Sequence, residues 1–493
     1  MRTILGLKQL GILLGPLVFL ATYFFFKPAG LSHTANVVLA TTLWMAVWWM
    51  TEVLPISVTA LLPIIVFPMS GALPIEDVTA CFGHEYIFLY IGGFILAIAI
   101  ERWGLHKRIA LNIIYLIGSN VRYIILGFMA ATAFISMWIS NTATAVLMMP
   151  IGLAIVAQLR DNPATREDEN LVFGKALMLS IAYSATIGGM ATLVGSPPNL
   201  VFAGVVKDFY QVDVSFYDWI VIGFPFAFVL LFIVWKILTS VVFKFPQQGF
   251  PGGREEIGKQ LQALGKITYE EKAVLAVFIL TALAWITRSF FLNRFFSQLD
   301  DTVIAMIAAF VLFLIPTSGE GKQPFLTWEE AVKLPWGILL LFGGGLAIAE
   351  GFKTSGLAEW IGLQMASLNG VHLIVLLLAI ILSVNFLTEV TSNLATTAMI
   401  LPILAPLALA LDVHPFGLLI GATLAASCAF MLPVATPPNA VVFGSGYLKI
   451  NDMVRSGILF NITSSILLTV FMYYLLPLFL GYDAEVFPLD LKK

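Results

Sequence analysis

Apolar runs of about 17–25 residues, separated by short polar stretches, recur along the whole 493-residue chain. An α-helix of that length crosses roughly 30 Å of hydrocarbon. The pattern predicts membrane helices near 9–26, 36–53, 55–71, 86–101, 172–203, 216–241, 273–290, 302–317, 335–350, 416–445 and 456–480. Two further apolar stretches, 122–158 and 372–410, are interrupted midway by Ser140-Asn141-Thr142 and Ser392-Asn393-Leu394. Each arm is short for a span once the polar tip is set aside, so both stretches read as re-entrant hairpins. The first helix is longer than a signal-peptide core and no small-residue cleavage site follows Phe26 and Lys27, so it is kept as a span. The expected fold is an all-α polytopic membrane protein with eleven crossings and two hairpins.

The pattern also repeats. A shift of 252 sets Leu89-Tyr90-Ile91-Gly92-Gly93 on Leu341-Phe342-Gly343-Gly344-Gly345, and Ser140-Asn141 on Ser392-Asn393. It also sets Pro150-Ile151 on Pro402-Ile403, and Ser136 on Thr388, which keeps a hydroxyl. A shift of 240 then matches Gly195-Ser196-Pro197-Pro198-Asn199 to Ala435-Thr436-Pro437-Pro438-Asn439, the polar insertion around 161–170 absorbing the difference. Helix 335–350 comes an odd number of crossings after helix 86–101, so the halves run in opposite directions. Inverted repeats of this kind mark secondary transporters, with their sites at the repeat interface near the midplane.

Composition narrows the class. Apolar residues make up 59% of the chain and charged residues 11%, against about 45–50% and about 25% in soluble domains. An ordinary water-soluble enzyme cannot hide that much apolar surface. With 26 Lys+Arg against 29 Asp+Glu there is no basic excess for nucleic acid. Cys81 and Cys428 are too few for a disulfide framework or thiolate metal site, and read as packed thiols. Most Lys and Arg fall in the loops on the side of the amino terminus, which places that terminus in the cytoplasm and the carboxyl terminus outside. Segment 244–272, with Pro246, Gly249, Pro251, Gly252 and Gly253, reads as a cytoplasmic linker between the halves and not as a domain.

The candidate chemistry sits at the interruptions. Each tip offers hydroxyls, an amide and the free N–H groups of a starting helix, which bind carboxylates. Serine and asparagine oxygens and freed carbonyls also coordinate cations. One such tip is often only a polar helix contact; two at repeat-equivalent places, each followed by Pro-Pro-Asn, point to a site. Pro197-Pro198 and Pro437-Pro438 remove backbone donors and break their helices, freeing the Gly195 and Ala435 carbonyls. Glu52 and Glu389 are boundary or intramembrane acids and so functional candidates. Glu389 serves either to shape an ion site or to bond backbone. The histidines have no metal-ligand spacing, and no nucleophile elbow, Walker loop or HExxH pair occurs, so no catalytic residue is assigned.

At these residues the sequence resembles the divalent anion:sodium symporter family, carriers of citric-acid-cycle dicarboxylates, citrate and sulfate. The paired tips, the paired Gly/Ala-Ser/Thr-Pro-Pro-Asn breaks and the eleven-helix layout carry the resemblance over nearly the whole chain. It implies a homodimer in the bacterial inner membrane, each protomer with a scaffold and a mobile transport domain working as an elevator. On that scheme 1–85 is mainly scaffold, 86–210 the first transport half, and 211–330 scaffold with linker 244–272. Residues 331–450 form the second transport half, and 451–493 the last scaffold helix with an outer tail. The implied first sodium site uses Ser136, Ser140, Asn141 and the Gly195 carbonyl; the second uses Thr388, Thr391, Asn393 and the Ala435 carbonyl. The substrate is expected between Ser140, Asn141 and Thr142 on one side and Ser392, Asn393 and Thr436 on the other, with Pro197 and Pro437 nearby. Leu394 stands where close bacterial dicarboxylate carriers tend to have Thr, which removes one hydroxyl.

The expectation is a sodium-coupled importer of C4-dicarboxylates such as succinate, fumarate and malate, with sodium as co-transported ion, lipid as surroundings and no organic cofactor. Its rivals are a sodium-independent dicarboxylate exchanger, a sodium/citrate or sodium/sulfate symporter and, more remotely, a channel or intramembrane enzyme.

Overall fold

The computed structural model describes residues 2–118, 120–157, 169–245, 253–319, 322–365 and 370–491. The polar insertion, with Arg160 and Arg166, lies outside them except for its last two residues; so do the Pro/Gly run 246–252 and the final two lysines. Helices dominate, and no strand occurs among the described residues beyond one isolated bridge between Pro316 and Pro324.

The first half opens with α1 (Arg2–Phe25) and α2 (His33–Thr51), which pack together. Helix α2 starts at Ser32, whose Oγ accepts the Ala35 N–H at 3.0 Å, a cap that satisfies one orphan donor. The predicted helix 55–71 is two pieces, α3 (Ile56–Thr59) and α4 (Leu62–Ser70). The chain turns at Ala60-Leu61 just ahead of Pro63, whose missing N–H suits a first helical turn. A short α5 (Ile75–Cys81) leads to α6 (Glu85–Arg102). Then comes α7 (Leu105–Ile117), an amphipathic helix that no long apolar run announced. Hairpin one is α8 (Val121–Ser136) and α9 (Asn141–Val156). The first broken helix is α10 (Glu169–Met190) and α11 (Pro197–Tyr210). Helix α12 (Phe216–Ile237) runs into a π-helical turn at Leu238–Val242.

The predicted linker contains a helix, α13 (Gly253–Ala263), too polar to register as apolar yet packed against α7, with Arg254 over the Tyr115 ring at 4.7 Å. After it come α14 (Tyr269–Thr287), α15 (Asp301–Leu314), α16 (Trp328–Ala331), α17 (Trp336–Thr354) and α18 (Leu357–Met365). Hairpin two is α19 (Leu373–Thr388) and α20 (Asn393–Ala410), and the second broken helix is α21 (Pro415–Ala426) and α22 (Pro437–Phe443). Helix α23 (Ile450–Val470) and, past a π turn, α24 (Leu476–Leu480) complete the chain's helical part.

Six helical stretches among the described residues are long and apolar enough to cross a bilayer: 75–102, 170–190, 216–242, 336–354, 393–410 and 450–480. The hairpin arms α8, α9 and α19 fall among the shorter apolar helices, as arms that end at a buried tip should. Helix α10 is almost wholly buried between the arms of hairpin one, as α21 is beside α19 and α20. Small residues allow these contacts: a Cβ at Gly188 would strike the Ala133 backbone, and one at Gly344 the Ala60 carbonyl. The Tyr183 hydroxyl in α10 donates to the Phe430 carbonyl at 3.0 Å and lies 3.2 Å from Ser456 Oγ in α23, joining the two halves and the last long helix.

Candidate functional site

The two hairpins break alike. Helix α8 stops at Ser136, and α9 restarts at Asn141 behind Ser140, whose Oγ accepts the Ala143 N–H at 3.2 Å. Helix α19 stops at Thr388, and α20 restarts at Asn393 behind Ser392. In the broken helices the paired prolines take the first turns of α11 and α22, where a missing N–H costs nothing.

At the first tip the Ser136 hydroxyl lies 2.6 Å from both Asn141 Oδ1 and the Ala185 carbonyl. It has one proton for two acceptors and so cannot donate fully to both. More oxygens crowd the same spot. A Cβ built on Gly189 would sit 2.5 Å from Asn141 Oδ1 and 3.0 Å from the Gly195 carbonyl. A Cβ on Gly195 would sit 2.7 Å from the Gly189 carbonyl and 3.0 Å from that of Met137. Only glycine leaves this space open. Asn199, fully buried, ties the break together from Nδ2 to the Gly189 and Thr192 carbonyls at 3.0 and 2.7 Å.

The second tip repeats the arrangement. Thr388 Oγ1 lies 2.7 Å from Asn393 Oδ1 and 2.8 Å from the Ala426 carbonyl. Thr391 Oγ1 and Thr396 Oγ1 are 2.5 Å apart. Asn439 spans the break from Nδ2 to the Ala429 and Leu432 carbonyls at 3.2 and 3.0 Å, and in both halves the Pro-Pro-Asn Oδ1 is buried without a donor. A gathering of neutral oxygens is what a hard monovalent cation can fill. Among the described residues no cluster of His, Cys, Asp and Glu suits a multivalent metal.

The halves differ at Glu389. Its buried carboxylate accepts the N–H groups of Phe430, Met431 and Leu432 at 2.8, 2.9 and 3.0 Å, and the Asn461 amide at 2.7 Å. Those bonds hold residues 427–436 out of helix, a longer break than 191–196 in the first half. Of its two possible roles, backbone bonding is the one Glu389 fills; through it Glu389 also carries the segment that ends at Ala435.

Both tips and both breaks face one cavity of about 860 Å³. All the predicted residues except Ser136 and Thr388 line it, and those two stand directly behind Asn141 and Asn393. The starts of α9, α11, α20 and α22 converge there, and a helix start carries a partial positive charge. Among the described residues no Lys, Arg or His lines the cavity, and the one charged lining residue is Glu52, exposed, at the end of α2 in a left-handed conformation (φ 46°). The second tip is the open side: Val390 is 62% exposed and Val434 82%, against 8% for Val194 at the first break.

The site also contains residues the sequence did not single out. Ser196 lines the cavity and was legible as the repeat partner of Thr436. Tyr90, visible only as part of the repeated glycine motif, lines it too, and the Gly189 and Met137 contributions are backbone.

Residues 8–480 match the family model described as the sodium:sulfate symporter transmembrane region. The chain belongs to that family, the divalent anion:sodium symporters. Its protein relatives include a sodium-dependent dicarboxylate transporter of Staphylococcus saprophyticus, 47% identical over 490 residues, covering 98% of this chain and 94% of the relative. The like-named transporter of Staphylococcus aureus is similar to the same extent. At the level of fold, the chain is similar to Neisseria gonorrhoeae MtrF, with TM-score 0.58 and 13% identity over 91% of this chain and 96% of that one. Alcanivorax borkumensis YdaH gives TM-score 0.58 and 14% identity over 88% and 98%. The protein is thus an all-helical, multi-pass membrane transporter and not an enzyme.

Proposed function

We propose that this transporter couples sodium entry to the import of C4-dicarboxylates such as succinate, fumarate and malate across the inner membrane. The observation that carries the reading is a large polar-tipped cavity with four helix starts, two oxygen clusters and no basic side chain. A dianion entering that cavity needs positive charge from elsewhere, and sodium at the two clusters supplies it. The 47% identity to sodium-dependent dicarboxylate transporters supports the same substrate and ion.

In this mechanism sodium binds first, at Ser136, Ser140, Asn141 and the Gly195 carbonyl, and at Thr388, Thr391, Asn393 and the Ala435 carbonyl. Bound sodium orders the tips, and the substrate carboxylates then meet Ser140, Asn141 and Thr142 on one side and Ser392, Asn393 and Thr436 on the other. Pro197 and Pro437 shape the walls. Alternating access follows by an elevator movement of 86–210 and 331–450 against the remaining helices, within a homodimer, the amino terminus cytoplasmic and the carboxyl terminus outside. Each net positive charge carried inward gains about 2.3 kcal/mol per 100 mV.

Competition tests the substrate: excess unlabelled malate and fumarate should suppress labelled succinate uptake, while citrate and sulfate at equal concentration should not. Stronger suppression by citrate or sulfate would reassign the substrate within the family. Leu394, buried and facing the cavity, is the position that most directly bears on that choice.

A further inference from the structure

Where the start of α8 meets the end of α12, a second cavity of about 250 Å³ shares no lining residue with the central one. Arg122 and Lys236 line it with Tyr123, Trp235, Thr239 and Ser240, and among the described residues no acidic side chain does. Arg122 donates from Nη2 to the Phe245 carbonyl at 3.0 Å, but its Nε–H is buried with no acceptor. Such a donor calls for an anionic oxygen. The wall is built by the switch from α- to π-helix at Leu238–Val242, and by Trp235 Nε1 donating to the Arg122 carbonyl at 2.9 Å.

The approach to this cavity is apolar. Phe224, Phe228 and Phe232 recur every fourth residue along α12, so they share one face, and they are 45%, 63% and 53% exposed. Four residues beyond Phe232, one turn further on, stands the exposed Lys236. Tyr123 and Trp235 are the amphipathic rings found at headgroup depth, and a lysine ending an apolar stripe reaches up to that level. On the charge-based orientation this end of the bundle meets the cytoplasmic leaflet, which is the anionic one.

The geometry points to a binding site for one anionic phospholipid, its phosphate between Arg122 and Lys236 and its acyl chains along Phe232, Phe228 and Phe224. Two cations without a carboxylate disfavour the ammonium of a zwitterionic headgroup. The bound lipid bridges hairpin one to α12.

The test is native mass spectrometry of the full-length protein exchanged into micelles doped with phosphatidylglycerol or phosphatidylcholine, alongside thermal stability. The wild type should retain phosphatidylglycerol over phosphatidylcholine and melt higher with it. Arg122→Gln/Lys236→Gln should retain it about thirtyfold less, the effect expected of two lost basic contacts near the surface. Should the double variant misfold, Lys236→Gln alone changes an exposed side chain and should lower retention about fivefold. Equal retention of the two lipids, or undiminished retention in Lys236→Gln, would overturn the proposal. Stabilisation by inorganic phosphate equal to that by phosphatidylglycerol would assign the site to free phosphate and overturn it equally.

Discussion

The Ser136 hydroxyl lies 2.6 Å from the side-chain carbonyl of Asn141, and Thr388 stands in the same relation to Asn393 at 2.7 Å. Each hydroxyl faces a second carbonyl as well and cannot serve both fully, so each tip gathers oxygens that a sodium ion would draw on. Ser136→Ala and Thr388→Ala should therefore raise the sodium concentration for half-maximal uptake by roughly tenfold, the worth of about 1.4 kcal/mol in one lost contact. Asn141→Ala and Asn393→Ala remove a group proposed for both ion and substrate, and each should abolish uptake while leaving the gel-filtration profile unchanged. Sodium titrations of uptake check both statements.

A methyl group at Gly189 should fill the first ion space and press on Asn141, so it is read by ion binding in the absence of substrate. In Gly189→Ala the new Cβ would lie 2.5 Å from Asn141 Oδ1. The expected result is loss of sodium-dependent protection against thermal unfolding at the first site. Unchanged protection would mean that this gathering of oxygens holds no ion.

Glu52 is the one charged lining residue of the cavity among the described residues, and its carboxylate favours cations and opposes anions. Glu52→Gln should raise the half-maximal sodium concentration about fivefold, as a charge worth about 1 kcal/mol at close range in water would. It should also strengthen inhibition by trivalent citrate relative to succinate. Uptake assays with both anions read the two effects together.

At the start of α14, Arg108 pairs with Glu271 at 2.9 Å and also holds the Leu264 and Gly265 carbonyls. Burial pushes the Glu271 carboxyl up, but the guanidinium and the Thr268 N–H outweigh it and hold it below its ordinary 4.5. A carboxyl depressed by folding stabilises the fold above its unfolded pKa, and that contribution fades as pH falls below about 4.5. In Arg108→Met the buried carboxylate loses its partner, at a cost of about 3 kcal/mol. Without the guanidinium, burial raises the Glu271 carboxyl, so its protonation relieves the penalty and the stability gap to the wild type should narrow as pH falls. Melting curves from pH 7 downward measure the difference.

Much of the site could be read without coordinates because it consists of polar residues stranded in apolar runs, and because it occurs twice. Asn141 and Asn393, or Pro197 and Pro437, have no other reason to recur in register. The backbone contributions were not legible: nothing distinguishes Gly189 from other helix-packing glycines, and the Met137 carbonyl belongs to a residue whose side chain gives no hint. Glu389 was visible as an intramembrane acid, but only the fold brings it to the N–H groups of Phe430, Met431 and Leu432. Among the helices, α7 and α13 escaped because hydropathy weighs apolar length, and both are short and amphipathic or polar. The split of 55–71 at Ala60-Leu61 escaped for the opposite reason, since an apolar run says nothing of a turn within it.

Uptake of labelled succinate into proteoliposomes bearing the purified protein tests the central claim most directly. With an inward sodium gradient succinate should accumulate above its external concentration, more so with the interior negative if net positive charge enters. Replacing sodium by potassium on both sides should abolish accumulation. Equal uptake in potassium alone would contradict the account, because a cavity without basic side chains would then be holding a dianion without the ions it is proposed to need.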